Sequence, residues 1–324
     1  MDIRLENVLE YEQPTKYIVK SENYSDDFAL PVLTAGKSFV LGFTDETDGI
    51  CKASESPVII FDDFTADCKY VDFDFKVKSS AMKILHKANT EDNLKYYFYA
   101  MQAIDYTPFS HKRVWISEYS KFKIKSRSVA EQNNIVKELD TVATAIDNTK
   151  QRLNALDELV KSRFIEMFGD PQNNNKQFPT KKLIDVVTLQ RGHDLPVQNR
   201  DSHGSVPVYG SNGVLGFHTI AKCDRGIITG RSGTIGEVYV SEEPFWPLNT
   251  TLYSNNTHGN NLIYLKYLLM FFNLKRFKSG AGVPTLNRNE FHGKEIMDVP
   301  IELQNEFADF VKLIDKSGIC GGKI

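Results

Sequence analysis

Four side chains in the first half of the chain could form a metal-dependent catalytic centre. Asp62, Asp63 and Asp67 lie close together, and Lys69 follows them. In a magnesium-dependent nuclease, carboxylates hold the ion and a lysine can support the nucleophile. The spacing of this cluster is cramped for such a centre, so the sequence favours an exposed or DNA-facing loop. A stand-alone nuclease that requires Mg²⁺ is kept as an alternative.

A second segment resembles part of a nucleotide-binding loop. Residues 35–38, Ala-Gly-Lys-Ser, match the end of a Walker A motif. That motif also needs a glycine where this chain has Pro31, so the phosphate cradle is incomplete. The sequence contains no His-Glu-x-x-His, no Gly-x-Ser-x-Gly and no adenine-methyltransferase motif of the Asn/Asp-Pro-Pro-aromatic type. These patterns argue against catalysis by this chain, and we predict no catalytic and no metal-binding residues.

Glycine-rich loops that carry cations and amides are better suited to nucleic acid. The clearest are residues 209–213, 230–234 and 275–288. Arg and Asn can make paired hydrogen bonds to guanine and adenine, whereas Lys and Ser more often contact phosphates. Glycine allows backbone N–H groups to approach a phosphate closely. We predict DNA contacts from Lys37, Ser38, Lys69, His111, Lys112, Arg113, Arg191, Ser211, Asn212, Arg231, Ser232, Thr234, Lys278, Ser279, Thr285, Asn287 and Arg288.

A long helix is the most regular element available to position these loops. Residues 131–167 contain no Gly or Pro, and apolar residues alternate there by three and four from a start at Gln132. Gly169 and Pro171 stop the pattern. Such a helix is roughly 54 Å long, which suits a spacer between two binding domains, although packing on a core remains an alternative. The predicted helix interface is Leu139, Val142, Ile146, Leu153, Leu156, Val160, Phe307, Phe310 and Ile314.

The chain also repeats itself after about 170 residues, too long a period for a solenoid. Residues 30–32 and 41–43 (Leu-Pro-Val and Leu-Gly-Phe) are echoed by residues 206–208 and 215–217 (Val-Pro-Val and Leu-Gly-Phe). Residues 57–60 align with 226–229, and Gln132 aligns with Gln304. The matches stay in order, so we interpret them as a diverged duplication of one α/β unit followed by a helix. Two similar domains suit a ligand with two similar sites, such as DNA half-sites roughly 34 Å apart.

Composition sets the remaining bounds. The chain has 324 residues, 41% hydrophobic and 25% charged, with a net charge of −3. The length suggests about two domains, and any DNA-binding face must concentrate its cations locally. The apolar run 262–274 carries Lys266 and is too short to span a membrane. A charged N-terminus argues against a secretion signal, and four cysteines without Cys-x-x-Cys spacing favour a reducing compartment. We therefore predict a cytoplasmic protein.

Together these patterns predict an α+β fold with two tandem mixed α/β domains separated by a long coiled-coil-type helix. The predicted boundaries are 1–125 for the first domain, 126–170 for the helix, 171–300 for the second domain and 301–324 for a truncated second helix and tail.

The chain resembles the specificity (S) subunits of type I restriction–modification systems. The resemblance covers nearly the whole chain and depends on a combination of motifs, none of which is specific alone. They are residues 184–191 (IDVVTLQR), 206–217 (VPVYGSNGVLGF), 226–238 (GIITGRSGTIGEV), 245–251 (FWPLNTT) and 279–291 (SGAGVPTLNRNEF), with the helix end FGDP at 168–171 and a variant first domain at 29–43 and 58–75.

The resemblance implies that each α/β copy is a target recognition domain reading one half of a bipartite DNA sequence. The helices would form a spacer and a docking surface for modification (methyltransferase) subunits, with restriction subunits joining in the full complex. The chain itself would be non-catalytic and hold no cofactor, because S-adenosylmethionine, ATP and Mg²⁺ would be used by partner chains.

The second helix departs from the family pattern. It begins near Leu303 and breaks at Ser317-Gly318, which leaves roughly four turns. Much of the first helix would then lack a partner within the chain, so a homodimer through the long helix is an alternative to docking of modification subunits. A coiled-coil scaffold that binds proteins is a further alternative function.

Overall fold

The computed structural model describes residues 1–36, 38–109, 112–201, 203–280 and 282–316. The chain divides into two compact units, Met1–Ile146 and Asp147–Ile324, and the division falls within the long helix. The predicted α+β class is confirmed, while the four predicted domain boundaries stay a prediction. No helix in the described ranges has the length and hydropathy needed to cross a membrane.

In its described residues, unit 1 has two sheets, a β-ribbon and one short α-helix before the long helix begins. The larger sheet has the antiparallel order β2-β8-β5-β6, and the smaller sheet has the order β4-β3-β7 with β3 and β7 parallel. Its elements are β1 (Asp2–Arg4), β2 (Leu9–Glu12), β3 (Leu30–Leu33), β4 (Val40–Thr44), β5 (Val58–Asp62), β6 (Cys68–Val71), β7 (Lys76–Val77), β8 (Met82–Lys87), α1 (Leu94–Gln102), β9 (Lys123–Lys125) and α2 (Val129–Phe168).

The core of unit 1 has two layers because β5 is buried on both faces. Its sequence, Val-Ile-Ile-Phe-Asp, is β-branched or aromatic over four residues, as central strands often are. Side chains alternate between the faces of a strand. Ile59 and Phe61 therefore belong to the cluster that contains α1, whereas Val58 and Ile60 belong to the cluster facing the smaller sheet.

Unit 2 repeats this arrangement. Its larger sheet has the order β11-β17-β14-β15 and its smaller sheet the order β13-β12-β16, again with one parallel pair. Its elements are β10 (Thr180–Lys182), α3 (Leu183–Val186), β11 (Thr188–Arg191), β12 (Val206–Gly210), β13 (Gly213–His218), β14 (Gly226–Gly230), β15 (Val238–Ser241), β16 (Trp246–Pro247), β17 (Thr251–Asn256), α4 (Leu262–Phe272), β18 (Lys278–Ser279), β19 (Thr285–Leu286), α5 (Asn289–His292), β20 (Glu295–Met297) and α6 (Ile301–Lys316).

The duplication is thus visible strand by strand, but the alignment of β5 with β14 needs a correction. Aligning residues 57–60 with 226–229 pairs Ile59 with Ile228. In the structure Ile59 packs on the side of α1, whereas Ile228 packs with Tyr209 and Phe245 on the opposite face of its sheet. Ile227 packs on the side of α4 and is the true counterpart of Ile59. A shift of one residue reverses the faces of a strand, so this alignment was wrong by one position.

A polar clamp joins each unit to the helix that follows it. In unit 1, the N–H of Asn93 donates to Gln132 Oε1 (2.8 Å), and Asn93 Nδ2 donates to Asn133 Oδ1 (2.8 Å). In unit 2, the N–H of Asn261 donates to Gln304 Oε1 (2.9 Å). Both glutamines are buried. The seam prediction that began at Gln132 therefore needs a correction: this side chain serves the clamp and does not belong to an apolar interface.

The long helix begins with a capping box that the sequence analysis did not use. The N–H of Ser128 donates to Glu131 Oε2 (2.9 Å), and the N–H of Glu131 donates to Ser128 Oγ (3.4 Å). At the other end Gly169 has a φ of +75°, the left-handed conformation that favours glycine after a helix. The helix therefore spans two residues more at its start and one more at its end than the predicted range 131–167.

The predicted helix interface divides into a packed part and an exposed part. Packed residues belong to the core of unit 2 and are Leu156, Val160, Phe307, Phe310 and Ile314. Leu153 is half-buried. Leu139, Val142 and Ile146 are exposed, the last two by 55% and 51%.

Candidate nucleic-acid interface

Three arginines of unit 2 meet in one pocket of about 340 Å³. They come from separate parts of the chain: Arg191 ends β11, Arg231 follows β14, and Arg288 follows β19. Three cationic groups around one concave surface make a site for an anion or for the acceptor edge of a base. The pocket is lined by Arg191, Arg231, Leu252, Thr285, Leu286, Asn287, Arg288 and Asn289.

Backbone hydrogen bonds tie together the two loops that form this pocket. The N–H of Leu286 donates to Arg231 O (2.8 Å), and the N–H of Gly233 donates to Pro284 O (3.1 Å). Ser232 and Thr285 form an isolated antiparallel bridge between them. The loops therefore behave as a short extra sheet, which holds both arginines without help from a ligand.

Each arginine has a contact that limits its motion. Arg231 Nε donates to Asn249 O at 2.9 Å, and this fixes the plane of its guanidinium group. An Nη of Arg288 donates to Leu189 O at 3.4 Å, and Arg191 lies 4.0 Å from a carboxylate oxygen of Asp194. An arginine whose guanidinium is held in place loses less entropy on binding than a free one.

Close backbone packing explains why glycine occupies two positions of the loop 230–234. A Cβ on Gly230 would lie 1.7 Å from the carbonyl oxygen of Thr234, so no other residue fits there. Gly233 has a φ of +91°, which favours glycine. A Cβ on Gly233 would lie 3.3 Å from Ser211 Oγ. The β12–β13 turn that carries Ser211 and Asn212 therefore adjoins this loop.

A buried histidine contacts the strand that carries Arg191 to the pocket. His292 Nε2 accepts the N–H of Leu189 at 3.2 Å, in the strand that carries Arg191. Burial, with a smaller contribution from the charge of Arg288, lowers the pKa of His292 from its ordinary value of 6.5. The neutral ring is the form that can accept this hydrogen bond. Protonation of His292 would therefore remove a hydrogen bond that holds β11 in place.

The remaining predicted residues of unit 2 lie in or beside the same loops. Ser279 pairs with Thr285 and Lys278 with Leu286 in the β18–β19 ribbon. Ser232 and Thr234 lie in the loop after β14, and Lys278 and Thr234 are exposed. The structure therefore brings the unit 2 residues predicted to contact DNA onto one set of adjoining loops.

Unit 1 carries a carboxylate where unit 2 carries Arg231. The N–H of Val114 donates to Asp63 O at 3.0 Å, just as the N–H of Leu286 donates to Arg231 O. Asp63 therefore corresponds to Arg231, whereas the sequence alignment had paired Arg231 with Asp62. Asp63 is buried, with one oxygen 3.5 Å from Lys83 Nζ and the other accepting the N–H of Trp115 at 2.8 Å. The two units thus differ in charge at their matched position.

The predicted contact residues of unit 1 are more scattered than those of unit 2. Lys112 and Arg113 are exposed and directly precede Val114, so they occupy the place of residues 284 and 285 in unit 2. Ser38 lies in the β3–β4 turn, where its carbonyl accepts the hydroxyl of Thr34 at 2.7 Å. Lys69 is exposed on the edge strand β6. Lys37 and His111 lie outside the described residues.

The acidic cluster of the nuclease alternative has structural partners. Asp62 Oδ1 accepts the N–H of Phe64 at 2.9 Å, which closes a turn. Asp63 is engaged with Lys83 and Trp115, and Asp67 and Lys69 are exposed. Within the described ranges, no group of three or more His, Cys, Asp or Glu side chains is placed to hold a metal ion. The geometry gives no support to a nuclease centre here.

Sequence reasoning missed several residues that build the site. Leu252 and Asn289 line the pocket, the carbonyl of Asn249 holds Arg231, and His292 supports β11. Asn249 lay within the motif 245–251 used for the resemblance, so its segment carried a signal. His292 carried none, because a single histidine after a loop has no spacing to interpret.

Comparison with known proteins agrees with this geometry. Residues 175–320 match a family described as the type I restriction modification DNA specificity domain. A stretch of 162 residues is 47% identical to the EcoR124I/EcoR124II specificity subunit of a type I restriction enzyme from Escherichia coli. That match covers 46% of this chain and 40% of the relative, so it spans less than half the length of either protein.

The fold gives a second line of comparison. The crystal structure of a type I restriction–modification system S subunit from M. genitalium superposes with a TM-score of 0.68 at 15% identity, over 98% of this chain and 89% of that one. Residues 175–320 of unit 2 therefore match the DNA specificity domain family in sequence, and the chain shares the fold of the S subunit over almost its whole length. The resemblance found in the sequence is confirmed by these matches.

Proposed function

We propose that this chain is a non-catalytic, sequence-specific DNA-binding subunit that selects the target of a restriction–modification complex. The observation that carries the proposal is the pocket of unit 2, where three arginines meet two asparagines in a region that matches the DNA specificity domain family. Arginine can pair with the O6 and N7 acceptors of guanine, and asparagine with adenine. Arginine also binds phosphate, so the same pocket can both position and read DNA.

The two units would read the two halves of a bipartite target differently. In unit 2 the pocket is cationic and open, and Arg231 is half-exposed. In unit 1 the matched position holds buried Asp63, and the loop that pairs with it carries the exposed cations Lys112 and Arg113 directly before Val114. Different groups at matched positions recognise different bases, so the two half-sites should differ in sequence.

The chemistry would be supplied by partner chains. Modification subunits would methylate adenine with S-adenosylmethionine, and restriction subunits would cleave DNA with ATP and Mg²⁺. The exposed part of α2, with Leu139, Val142 and Ile146, supports a protein interface on this helix. We expect modification subunits to cover it, and a second copy of this chain is the alternative.

Methylation mapping in cells tests the proposed role in target selection. Arg231→Ala and Arg288→Ala should each weaken DNA binding and relax the half-site read by unit 2, with a loss of about 1–3 kcal/mol per arginine. Arg225→Ala is a matched control, because Arg225 is an exposed arginine of unit 2 that pairs with Glu242 outside the pocket. Genome-wide methyladenine maps made with each variant should change only for the two pocket variants.

The salt dependence of binding separates the two roles of each arginine. Loss of a phosphate contact should lower the salt slope by about one, whereas loss of a base contact should change preference at one base pair. If both pocket variants methylate the same sites at the same rates as the unmodified chain, the pocket does not read DNA and the proposal fails.

A further inference from the structure

The segment of unit 1 that carries Lys112 and Arg113 also carries an aromatic side chain that its own chain does not cover. Phe109 is fully exposed. Exposure of a whole phenylalanine ring to water is unfavourable, and a ligand that covers the ring recovers the free energy of burial. Phe109 is therefore a candidate contact, and what it contacts follows from the way the segment 107–113 is held and charged.

Aromatic packing holds the start of this segment. The ring of Tyr106 meets Tyr119 edge-on at 5.6 Å and Phe122 edge-on at 5.2 Å between ring centroids. The hydroxyl of Tyr106 donates to Glu118 Oε2 at 2.7 Å. Ring contacts of this kind stabilise a fixed geometry, so the chain leaves the core at a defined point just before the segment 107–113.

Hydrogen bonds to Asp63 hold the end of the segment. The N–H of Val114 donates to Asp63 O at 3.0 Å, and the N–H of Trp115 donates to the Asp63 carboxylate at 2.8 Å. Pro108 also restricts the backbone directly before Phe109, because its ring fixes φ. With both ends held, Phe109 loses less conformational freedom when it is covered than a residue of a free loop would.

The charge and the position of the segment favour DNA as the ligand. Residues 107–113 contain no Asp or Glu. Lys112 and Arg113 are exposed, and neither has an ion-pair partner among the residues that the structure describes. Because Val114 corresponds to Leu286, the segment takes the place of residues 279–285 in the candidate DNA interface of unit 2. An aromatic ring beside free cations suits stacked bases flanked by phosphates.

Unit 1 also lacks the arginine that unit 2 carries at the matched position, because Asp63 stands there and faces Lys83. We propose that Phe109 inserts between two adjacent base pairs of the half-site read by unit 1, while Lys112 and Arg113 contact the flanking phosphates. An apolar wedge unstacks one base step and kinks the duplex, and pyrimidine–purine steps unstack most easily. Unit 1 would then select its half-site in part by the deformability of one step. This inference rests on the proposed function, since it requires DNA binding.

Base unstacking is measured with duplex DNA that contains the target found by methyladenine mapping. The half-site of unit 1 is the one that Arg231→Ala leaves unchanged, and 2-aminopurine is placed at each of its positions in turn. This base gains fluorescence when it is unstacked, so the full chain assembled with modification subunits should raise the fluorescence at one step. Phe109→Ala should abolish the rise. Phe109→Trp should keep it, because another large aromatic ring can fill the same gap.

DNA affinity, measured by fluorescence anisotropy, separates stacking from charge. Phe109→Ala should lower the affinity about tenfold at fixed salt, with an unchanged salt slope and an unchanged melting temperature of the free chain. Lys112→Ala should instead lower the salt slope by about one. Phe73→Ala is the matched control and should leave the affinity unchanged. Phe73 is another exposed phenylalanine of unit 1, and it follows the strand end that pairs with the start of β5, whereas Asp63 follows the end of β5.

Insertion by Phe109 is refuted if Phe109→Ala binds the duplex as tightly as the unmodified chain, or if the fluorescence rise persists in that variant. It is also refuted if Phe109→Ala weakens assembly with the modification subunits, seen by sedimentation, and leaves DNA affinity intact, because the ring would then contact protein. Arg231→Ala distinguishes this failure from failure of the proposed function. If Arg231→Ala weakens DNA binding and Phe109→Ala does not, only the insertion is wrong. If neither variant changes DNA binding, the proposed function is wrong as well.

Discussion

Asp63 and Arg231 occupy the same position in the two units, but their replacement by alanine should change different properties: stability for Asp63 and DNA affinity for Arg231. In unit 1, Asp63→Ala removes the carboxylate that faces Lys83 at 3.5 Å and accepts the N–H of Trp115 at 2.8 Å. Both side chains of the ion pair are 2% exposed. A buried ammonium left without its partner costs about 3–5 kcal/mol. For a unit of this size, that corresponds to a fall in melting temperature of about 6–20 °C.

Arg231→Ala should leave unit 2 nearly as stable as before. The side chain is half-exposed and loses a single hydrogen bond, to Asn249 O, which is worth about 1 kcal/mol or less. Its effect should appear in DNA affinity, with a loss of about 1–3 kcal/mol. Scanning calorimetry of the free chain and fluorescence titration with DNA at one fixed salt concentration measure the two quantities separately.

A double variant tests the cause assigned to the loss of stability. Asp63→Ala with Lys83→Met removes both charges and should recover much of the stability, because replacing a buried pair by apolar groups is often neutral. Asp63→Asn should lose less than Asp63→Ala, since an amide oxygen can still accept the N–H of Trp115. If Asp63→Ala melts with the unmodified chain, or Lys83→Met gives no recovery, the argument from a buried ion pair is wrong.

Three further predictions concern the clamp, the histidine beside the pocket and the aromatic cluster around Phe164. Gln304→Leu should cost about 2–3 kcal/mol in denaturant unfolding, because it strips a buried acceptor from the N–H of Asn261, and Gln132→Leu should cost a similar amount in unit 1. The pKa of His292 is lowered in the folded chain, so the unfolded chain binds the proton more tightly and the stability should fall as the pH drops below about 6.5. His292→Gln should flatten this pH dependence of the melting temperature. A melting temperature of the unmodified chain that does not change with pH in this range would contradict the prediction. Phe164→Ala should cost about 3–5 kcal/mol of unfolding free energy, because it opens a cavity beside Phe271 and Phe307. Ile165→Ala, at its exposed neighbour, should cost less than about 1 kcal/mol, and equal losses would contradict the assigned packing of Phe164.

Local signals in the sequence were enough to predict the long helix and the duplication. The helix lacks Gly and Pro and stops at Gly169, and its seam period survives from Ile135 to Val160. Turn chemistry also marked the loops that meet in unit 2. Helix periodicity, helix stops and turn residues can be recognised from the sequence alone, without knowledge of tertiary contacts.

Long-range partners could not be predicted in the same way. β5 and β14 are buried on both faces, so their sequences have no alternation to set the alignment, and Ile59 was matched to the wrong isoleucine. Asp63 resembled a free carboxylate because Lys83 lies on another strand. Gln132 fitted a heptad position, yet its partner Asn93 comes from a loop before α1. In each case a distant contact decided the role of the residue.

The repeated clamp also has a consequence for the exchange of whole units between such chains. Asn93 with Gln132 and Asn261 with Gln304 make the same joint, with nearly equal distances, although the loops of the two units differ in charge and sequence. A unit inherited by recombination between such joints would bring its own loops and meet a helix with the polar groups it requires. We therefore expect that a chimaera joined at these residues would keep the packing between the exchanged unit and its helix.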